Sequence, residues 1–224
     1  MIMENEEERA LPPWTWRVLG VAAVGLLLTA VLGIGLISAE VFDPKPFGQL
    51  QEEVTPGERA LAAGKRQLDW LDMALPPEPF SLRLTAAHAG GERDIGYGIA
   101  LGGAEANVVV AVSPLGYVAI WEQVDGESVV QMPWQTWPHV HRDGGHVPGT
   151  SEVPGASSSQ MRGEGEPNEL QLDVSEGQLS VRINRELLWE GEWRESASGV
   201  GLYLESFGEA TRVDFRQLEL FDGP

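Results

Sequence analysis

The longest uninterrupted apolar segment of the chain lies near its N-terminus. From Val18 to Ile37 it reads VLGVAAVGLLLTAVLGIGLI, 20 residues without a charge. A helix rising about 1.5 Å per residue would cross the roughly 30 Å hydrocarbon core over this length. A secretory signal peptide is the alternative, because small residues precede Glu40, but its apolar part is usually about 7–15 residues long. We therefore predict an uncleaved transmembrane helix over residues 18–39.

Flanking charges predict the orientation of this helix. Arg9 and Arg17 precede it, whereas only Lys45 follows within a dozen residues. Because basic residues favour the cytoplasmic side, residues 1–17 are predicted to form a short cytoplasmic tail. Everything from Glu40 onward would then face the periplasm or the cell exterior. The predicted localisation is the cytoplasmic membrane, with a single pass.

Small residues recur every four positions in the predicted helix, at Gly25, Thr29 and Gly33. This spacing places them on one face, where a second helix could approach closely. The alternative is that small residues are simply common in membrane spans. The helix thus predicts contact with membrane lipid and leaves a helix partner open.

Residues 40–78 predict a linker with a short helix. The prolines at 44 and 46 disfavour both helix and sheet. From Gly57 to Leu75 helix formers predominate, and leucines at 61, 68, 71 and 75 fall roughly on one stripe before Pro76-Pro77. Alternatively, Trp70-Leu71 opens the first strand.

Beyond Pro79 the apolar period changes to two. Ten segments alternate in this way or are bounded by turn residues, and they predict an all-β jelly-roll β-sandwich of about ten antiparallel strands over residues 79–224. In the last segment Val213 and Phe215 differ in parity from Leu218 and Leu220, so one extra residue is expected to bulge out near Gln217. The strands are predicted at 80–85, 94–101, 107–112, 117–122, 128–132, 170–174, 179–183, 186–189, 200–205 and 211–221.

Charge narrows the partners. The chain of 224 residues has a formal net charge of −19 and no cysteine. Such a charge repels phosphate backbones, so nucleic acid is not expected as a partner. The lack of cysteine excludes disulfides, thiolate nucleophiles and cysteine-ligated metals. No cofactor is predicted.

Short landmarks in order from Asp94 onward resemble the concanavalin A-like, or laminin G-like, jelly roll. They are closest to its bacterial branch of 3-keto-disaccharide hydrolase-like domains and domains of unknown function. The resemblance implies the jelly-roll fold and covers about 140 residues. Where this branch commonly has Asn-Gly in the late hairpin, the chain has Asn184-Arg185. The landmarks are DIGYGI at 94–99, VSPLGY at 112–117, NEL at 168–170, GQLSVRIN at 177–184, GVGL at 199–202 and VDF at 213–215.

Carboxylate spacing does not favour catalysis. A jelly-roll glycosidase would carry Glu-x-Asp-x-Glu along one strand, and that pattern is absent from the sequence. Glu190 and Glu192 are the nearest approach, and a solvated strand edge explains them equally well. No catalytic residue is predicted, and the chain is interpreted as non-catalytic without excluding an enzyme.

Histidines form one candidate metal site. His139, His141 and His146 lie within eight positions, close to Asp143. Imidazole with carboxylate suits zinc or nickel, although Arg142 and a following stretch rich in Gly, Pro and Ser argue against a built site.

Aromatic residues form a candidate ligand site. Tyr117 and Trp121 share one face of a predicted strand, and Trp134 and Trp137 follow. These rings either pack in the core or line a groove where sugar rings stack. The charge favours a neutral or positively charged saccharide.

Three functions remain open from sequence. The first is a membrane-anchored, extracytoplasmic, non-catalytic module for glycan or protein recognition or scaffolding. The second, implied by the resemblance alone, is a carbohydrate-active hydrolase of the keto-disaccharide hydrolase-like branch. The third is an accessory single-pass subunit of a larger membrane complex.

Overall fold

A computed structural model describes residues 21–32, 44–103, 105–143, 165–192 and 199–223. The chain divides into two compact units, Met1–Pro44 and Lys45–Pro224.

The first unit contains one described helix, α1, at residues 21–32. In α1 the Thr29 hydroxyl donates to the Gly25 carbonyl at 2.9 Å, so its own helix satisfies it. Gly33 and both ends of the predicted membrane helix 18–39 lie outside the described residues. Within the described ranges, no helix is long and apolar enough to cross a membrane. The transmembrane helix and its packing face therefore stay predictions.

The second unit is built from two antiparallel sheets. The seven-stranded sheet has the order β1-β13-β4-β9-β10-β11, and β2 also pairs with β13; the six-stranded sheet has the order β3-β12-β5-β6-β7-β8. The strands are β1 Gln49–Val54, β2 Gly57–Leu61, β3 Arg66–Ala74, β4 Phe80–Gly91, β5 Ile95–Gly102, β6 Ala106–Val112, β7 Tyr117–Val124, β8 Glu127–Thr136, β9 Asn168–Ser175, β10 Gln178–Ile183, β11 Glu186–Glu192, β12 Gly199–Ser206 and β13 Thr211–Asp222.

One hydrophobic core lies between the sheets. Alternate residues of each strand point inward because the side-chain period of a strand is two. Leu82 and Leu84 of β4 and Leu172 of β9 meet Ile99 of β5 and Ile120 of β7 in this core, and all five are fully buried. The predicted all-β sandwich is therefore confirmed, and all ten predicted strands are present.

The predicted bulge in the last strand is also present. Phe215 of β13 pairs with Ala86 of β4, but Gln217 pairs with Thr85, so Arg216 is the extra residue. The bulge lets Leu218 and Leu220 reach the same core as Phe215 despite their different parity.

Two predictions before Pro79 are wrong. The segment from Gly57 to Leu75 is not helical; it forms β2 and β3. In β3, Leu71 and Met73 pack in the core while Leu68 packs on the outer face, and this period of two was hidden by leucines at helical spacing. The sandwich accordingly begins with β1 at Gln49 rather than at residue 79.

Three two-residue hairpin turns join neighbouring strands with both central residues at positive φ. Asp125-Gly126 joins β7 to β8, and Glu176-Gly177 joins β9 to β10. Between β10 and β11 the turn is Asn184-Arg185, with φ of 49° and 76°. Positive φ at both positions is typical of the type I′ turn, which favours glycine second. Arg185 therefore occupies a position that suits glycine.

A buried phenol lies at one end of the core. Tyr97 of β5 is 1% exposed, and its hydroxyl oxygen accepts a hydrogen bond from Asn168 Nδ2 at 3.0 Å. Burial raises the pKa of Tyr97 to about 12.

The two outer sheet faces differ in character. The seven-stranded sheet presents charged and polar side chains, such as Arg83 paired with Glu219 at 2.7 Å and Ser81 donating to Asp173 at 2.6 Å. The six-stranded sheet presents a second apolar cluster, which consists of Ala100, Val109, Ala111 and Tyr203, with Leu68 and Trp121 packed against it. An apolar outer face on an acidic domain is typical of a binding surface.

Candidate functional site

Four aromatic rings follow one another across the outer face of the six-stranded sheet. Trp121 of β7 contacts Tyr203 of β12 edge-on, with centroids 5.0 Å apart at 74°. Trp134 of β8 lies 6.5 Å from Trp121 and 6.1 Å from Phe207, which follows β12, and meets Phe207 at 88°. Edge-to-face and tilted contacts of this kind hold rings in fixed positions. We call these four residues the aromatic row.

Small residues let the aromatic row lie close to the sheet. A Cβ added to Gly96 of β5 would stand 2.9 Å from Trp134 Cζ2, and one added to Gly98 would stand 2.0 Å from the Val110 carbonyl oxygen. Both positions therefore accept no side chain without movement of a neighbour. The glycines of DIGYGI thus have a structural reason, which is to seat the Trp134 ring and to allow close strand packing.

Trp134 separates two clefts. The first, the Glu205 cleft, has a volume of about 260 Å³ and is lined by residues that include Arg66, Trp121, Met132, Trp134 and Glu205. Its lining is mostly apolar, with the charged pair as its polar part.

A charged pair closes the polar part of the Glu205 cleft. Arg66 donates through Nη2 to Glu205 Oε1 at 2.7 Å and through Nε at 3.0 Å. The Tyr203 hydroxyl donates to the other carboxylate oxygen, Oε2. Burial, with Glu205 beside it, raises the pKa of Tyr203, so the phenol remains a donor at any physiological pH. The carboxylate is thereby fixed in place from two sides.

The second cleft, the Asp94 cleft, lies on the other side of Trp134. It has a volume of about 500 Å³ and is lined by Asp94, Ile95, Ser113, Leu115, Tyr117, Trp134 and Phe207. Three aromatic rings and one carboxylate therefore share this cleft. Tyr117, Trp134 and Phe207 are 39%, 37% and 47% exposed, so a ligand could reach all three.

The structure divides the aromatic residues proposed from sequence. Tyr117, Trp121 and Trp134 line the two clefts, whereas Trp137 packs against the core and against His139, 5.7 Å between centroids. Tyr203 and Phe207 were missed. The alternation in β12, where Tyr203 shares a face with Glu205 opposite to Leu202 and Leu204, was the available signal for Tyr203.

The histidines do not come together within the described residues. His141 Nδ1 is hydrogen-bonded to the Pro167 carbonyl at 2.7 Å, and Asp143 pairs with His88 at 2.7 Å instead. His146 lies outside the described residues. Within the described ranges, no group of three or more histidine and acidic side chains is placed to hold a metal ion.

The backbone around these histidines has a structural role. The His139 carbonyl accepts from Asn184 Nδ2 at 2.6 Å, and the His141 N–H donates to Asn168 Oδ1 at 2.7 Å. Asn184 Nδ2 also donates to Asn168 Oδ1 at 2.9 Å. Two asparagines of the sequence landmarks therefore fasten this segment to β9 and to the turn after β10.

Glu190 and Glu192 lie far from the aromatic row in topology. Both are on β11 at the edge of the seven-stranded sheet, where they pair with Ser180 and Gln178 and are exposed. The Ser180 hydroxyl donates to Glu190 at 3.2 Å. This position fits the interpretation of a solvated strand edge.

No family model and no curated protein matches the chain. Among solved structures, the chain is similar to the carbohydrate-binding module CBM66 from Bacillus subtilis, with 8% identity, a TM-score of 0.46, and coverage of 80% of this chain and 94% of that chain. Sheep galectin-11 is similar with 16% identity, a TM-score of 0.39 and coverage of 69% and 98%. The Caenorhabditis elegans galectin LEC-6 gives 12%, 0.41, 73% and 96%. At TM-scores below 0.5 these similarities carry no argument about the ligand.

Proposed function

We propose that the chain is a membrane-anchored recognition module of the concanavalin A-like type, whose β-sandwich lies outside the cytoplasmic membrane and binds a neutral saccharide in the Glu205 cleft. The observation that carries this proposal is the meeting of two rings, Trp121 and Trp134, with the Arg66–Glu205 pair in one cleft. The module acts by binding and not by catalysis.

Each part of the Glu205 cleft has a role in this proposal. The apolar face of a sugar ring stacks on an indole, and its hydroxyls need both donors and acceptors. Arg66 uses two of its N–H groups on Glu205 and so keeps donors for a ligand, while Glu205 supplies the acceptor. Because the pair is held rigidly, little side-chain entropy is lost on binding.

Charge limits the ligand class. The net charge of −19 rests almost entirely on residues after 39, since only four acidic and two basic residues precede that point. Polyanionic glycans would be repelled by this field. Stacking adds about 0.5–1.5 kcal/mol per ring, so affinity for a short oligosaccharide is expected in the millimolar to high-micromolar range.

Tryptophan fluorescence titrated with neutral and acidic oligosaccharides tests the proposal. Trp134→Ala should abolish the response to a neutral oligosaccharide. Trp70→Ala is the matched control, because Trp70 is 36% exposed on β3 of the same sheet but lines neither cleft. Preference for an acidic glycan, or equal loss in both variants, would contradict the saccharide site.

The anchor is proposed on the apolar segment 18–39 and the charges around it. Protease added to intact spheroplasts should degrade the β-sandwich and leave the N-terminal tail protected. A protected β-sandwich would overturn the orientation without bearing on the saccharide site.

A further inference from the structure

The Asp94 cleft combines aromatic walls with a negative charge. Trp134 and Phe207 stand at 88° to each other with centroids 6.1 Å apart, so they form two walls of a corner. Tyr117 and Asp94 complete the lining on the sides that these rings leave open. Perpendicular rings around a carboxylate are the arrangement that attracts a cation, because each ring face carries negative potential.

The Asp94 residue is fixed in position by its backbone. Its N–H donates to Glu92 Oε1 at 2.9 Å, and its carbonyl accepts from the Phe207 N–H at 3.1 Å. The second contact ties the carboxylate-bearing residue to one of the aromatic walls. In the part of the chain that the structure describes, no ion pair engages the Asp94 carboxylate.

The nearby arginines do not occupy the cleft. Arg93 Nη1 donates to the Asp143 carbonyl at 3.0 Å, and Arg142 lies against Gly116. Neither side chain belongs to the cleft lining. The strong negative charge of the whole chain adds a long-range attraction for cations.

We propose that the Asp94 cleft binds an alkylammonium group, held between Tyr117, Trp134 and Phe207 with Asp94 as its counter-ion. The volume of about 500 Å³ leaves room for the rest of a ligand beside the charged group. The site is distinct from the saccharide site of the Glu205 cleft, although Trp134 forms a wall of both. An ammonium group carried on a sugar and a free quaternary amine share this chemistry.

Two pairs of probes that differ in charge test this site. Choline is compared with its neutral isostere 3,3-dimethyl-1-butanol, and glucosamine with N-acetylglucosamine, by calorimetric titration of the full chain in a polyoxyethylene detergent. At least one cationic probe should bind about 5-fold tighter than its neutral counterpart, and the difference should shrink with added salt. A preference for choline alone indicates a quaternary amine, and a preference for glucosamine alone an amino sugar.

Variants separate the carboxylate from the rings. Asp94→Asn should remove most of the charge preference, and Phe207→Leu should weaken the cationic probe about 3- to 10-fold. Asp125→Asn, in the exposed turn between β7 and β8, is the matched control and should change nothing. Equal affinity for the charged and neutral members of both pairs, or unchanged preference in Asp94→Asn, would overturn the proposal.

The outcome is independent of the saccharide site. Asp94→Asn should leave the fluorescence response to a neutral oligosaccharide unchanged, because Asp94 lies outside the Glu205 cleft. Binding of choline without any response to neutral saccharides would refute the proposed function and leave the cation site standing.

Discussion

Replacing Arg185 by glycine should stabilise the β-sandwich. Arg185 has φ of 76° in the turn between β10 and β11, where the other two hairpins of this type have Gly126 and Gly177. A side chain in the left-handed region costs about 1–2 kcal/mol, while glycine loses about 0.5–1 kcal/mol more backbone entropy on folding. The net gain is therefore about 0.5–1 kcal/mol. For a domain of this size, that corresponds to a rise in Tm of about 1–4 °C.

The side chain of Arg185 needs its own control. Arg185→Ala removes the interactions of the guanidinium but keeps a Cβ at positive φ, so the difference between the glycine and alanine variants isolates the backbone effect. Gly177→Ala is the reverse change in the neighbouring turn, where an added Cβ would meet nothing within 4 Å. It should lower stability by a similar amount.

Thermal unfolding followed by circular dichroism, together with urea titration, measures these three variants against the unchanged chain. A glycine variant no more stable than the alanine variant would refute the reasoning from backbone strain. So would a Gly177→Ala variant that unfolds at the same temperature as the parent.

Three further predictions follow from the packing. Between about pH 10 and 12 the unfolded chain loses the Tyr97 proton while the folded chain keeps it, so up to about 2–3 kcal/mol of stability should be lost there; Tyr97→Phe should flatten this slope in urea titrations at stepped pH. Gly96→Ala should displace the Trp134 ring and weaken saccharide binding several-fold by fluorescence, whereas Gly191→Ala, which meets Trp189 on the other sheet, should leave binding unchanged. A shortened chain that starts at Gly57 lacks β1 and should unfold at a lower temperature than one that starts at Lys45; equal Tm values would mean that pairing of β1 with β13 adds no stability.

The strands could be predicted where one face of each is buried and the other is polar. In β10, Leu179, Val181 and Ile183 alternate with hydrophilic residues, and the structure buries those three. The bulge at Arg216 was also readable, since a change of parity within one strand needs an extra residue. Binary pattern alone was sufficient for this part of the fold.

The pattern failed in β3 because both of its faces carry apolar residues. Leu71 points into the core, while Leu68 and Trp70 cover the outer face, and this combination has no period of two. For the same reason the aromatic row was only partly predicted. Phe207 follows the end of β12 and comes beside Trp134 through the strand order, which no local pattern encodes.

The partners of β13 impose an order on folding. This one strand pairs with β4 on one side and with β1 and then β2 on the other, so Leu50 near the first strand meets Phe221 near the last. A chain emerging N-terminus first cannot complete either pairing until its final strand has been made. The first two strands must therefore wait, unpaired and beside a charged surface, through nearly the whole of synthesis. Long-range closure of this kind makes assembly slow and late, and a polypeptide cut short before β13 would leave the edge of β4 open to other chains.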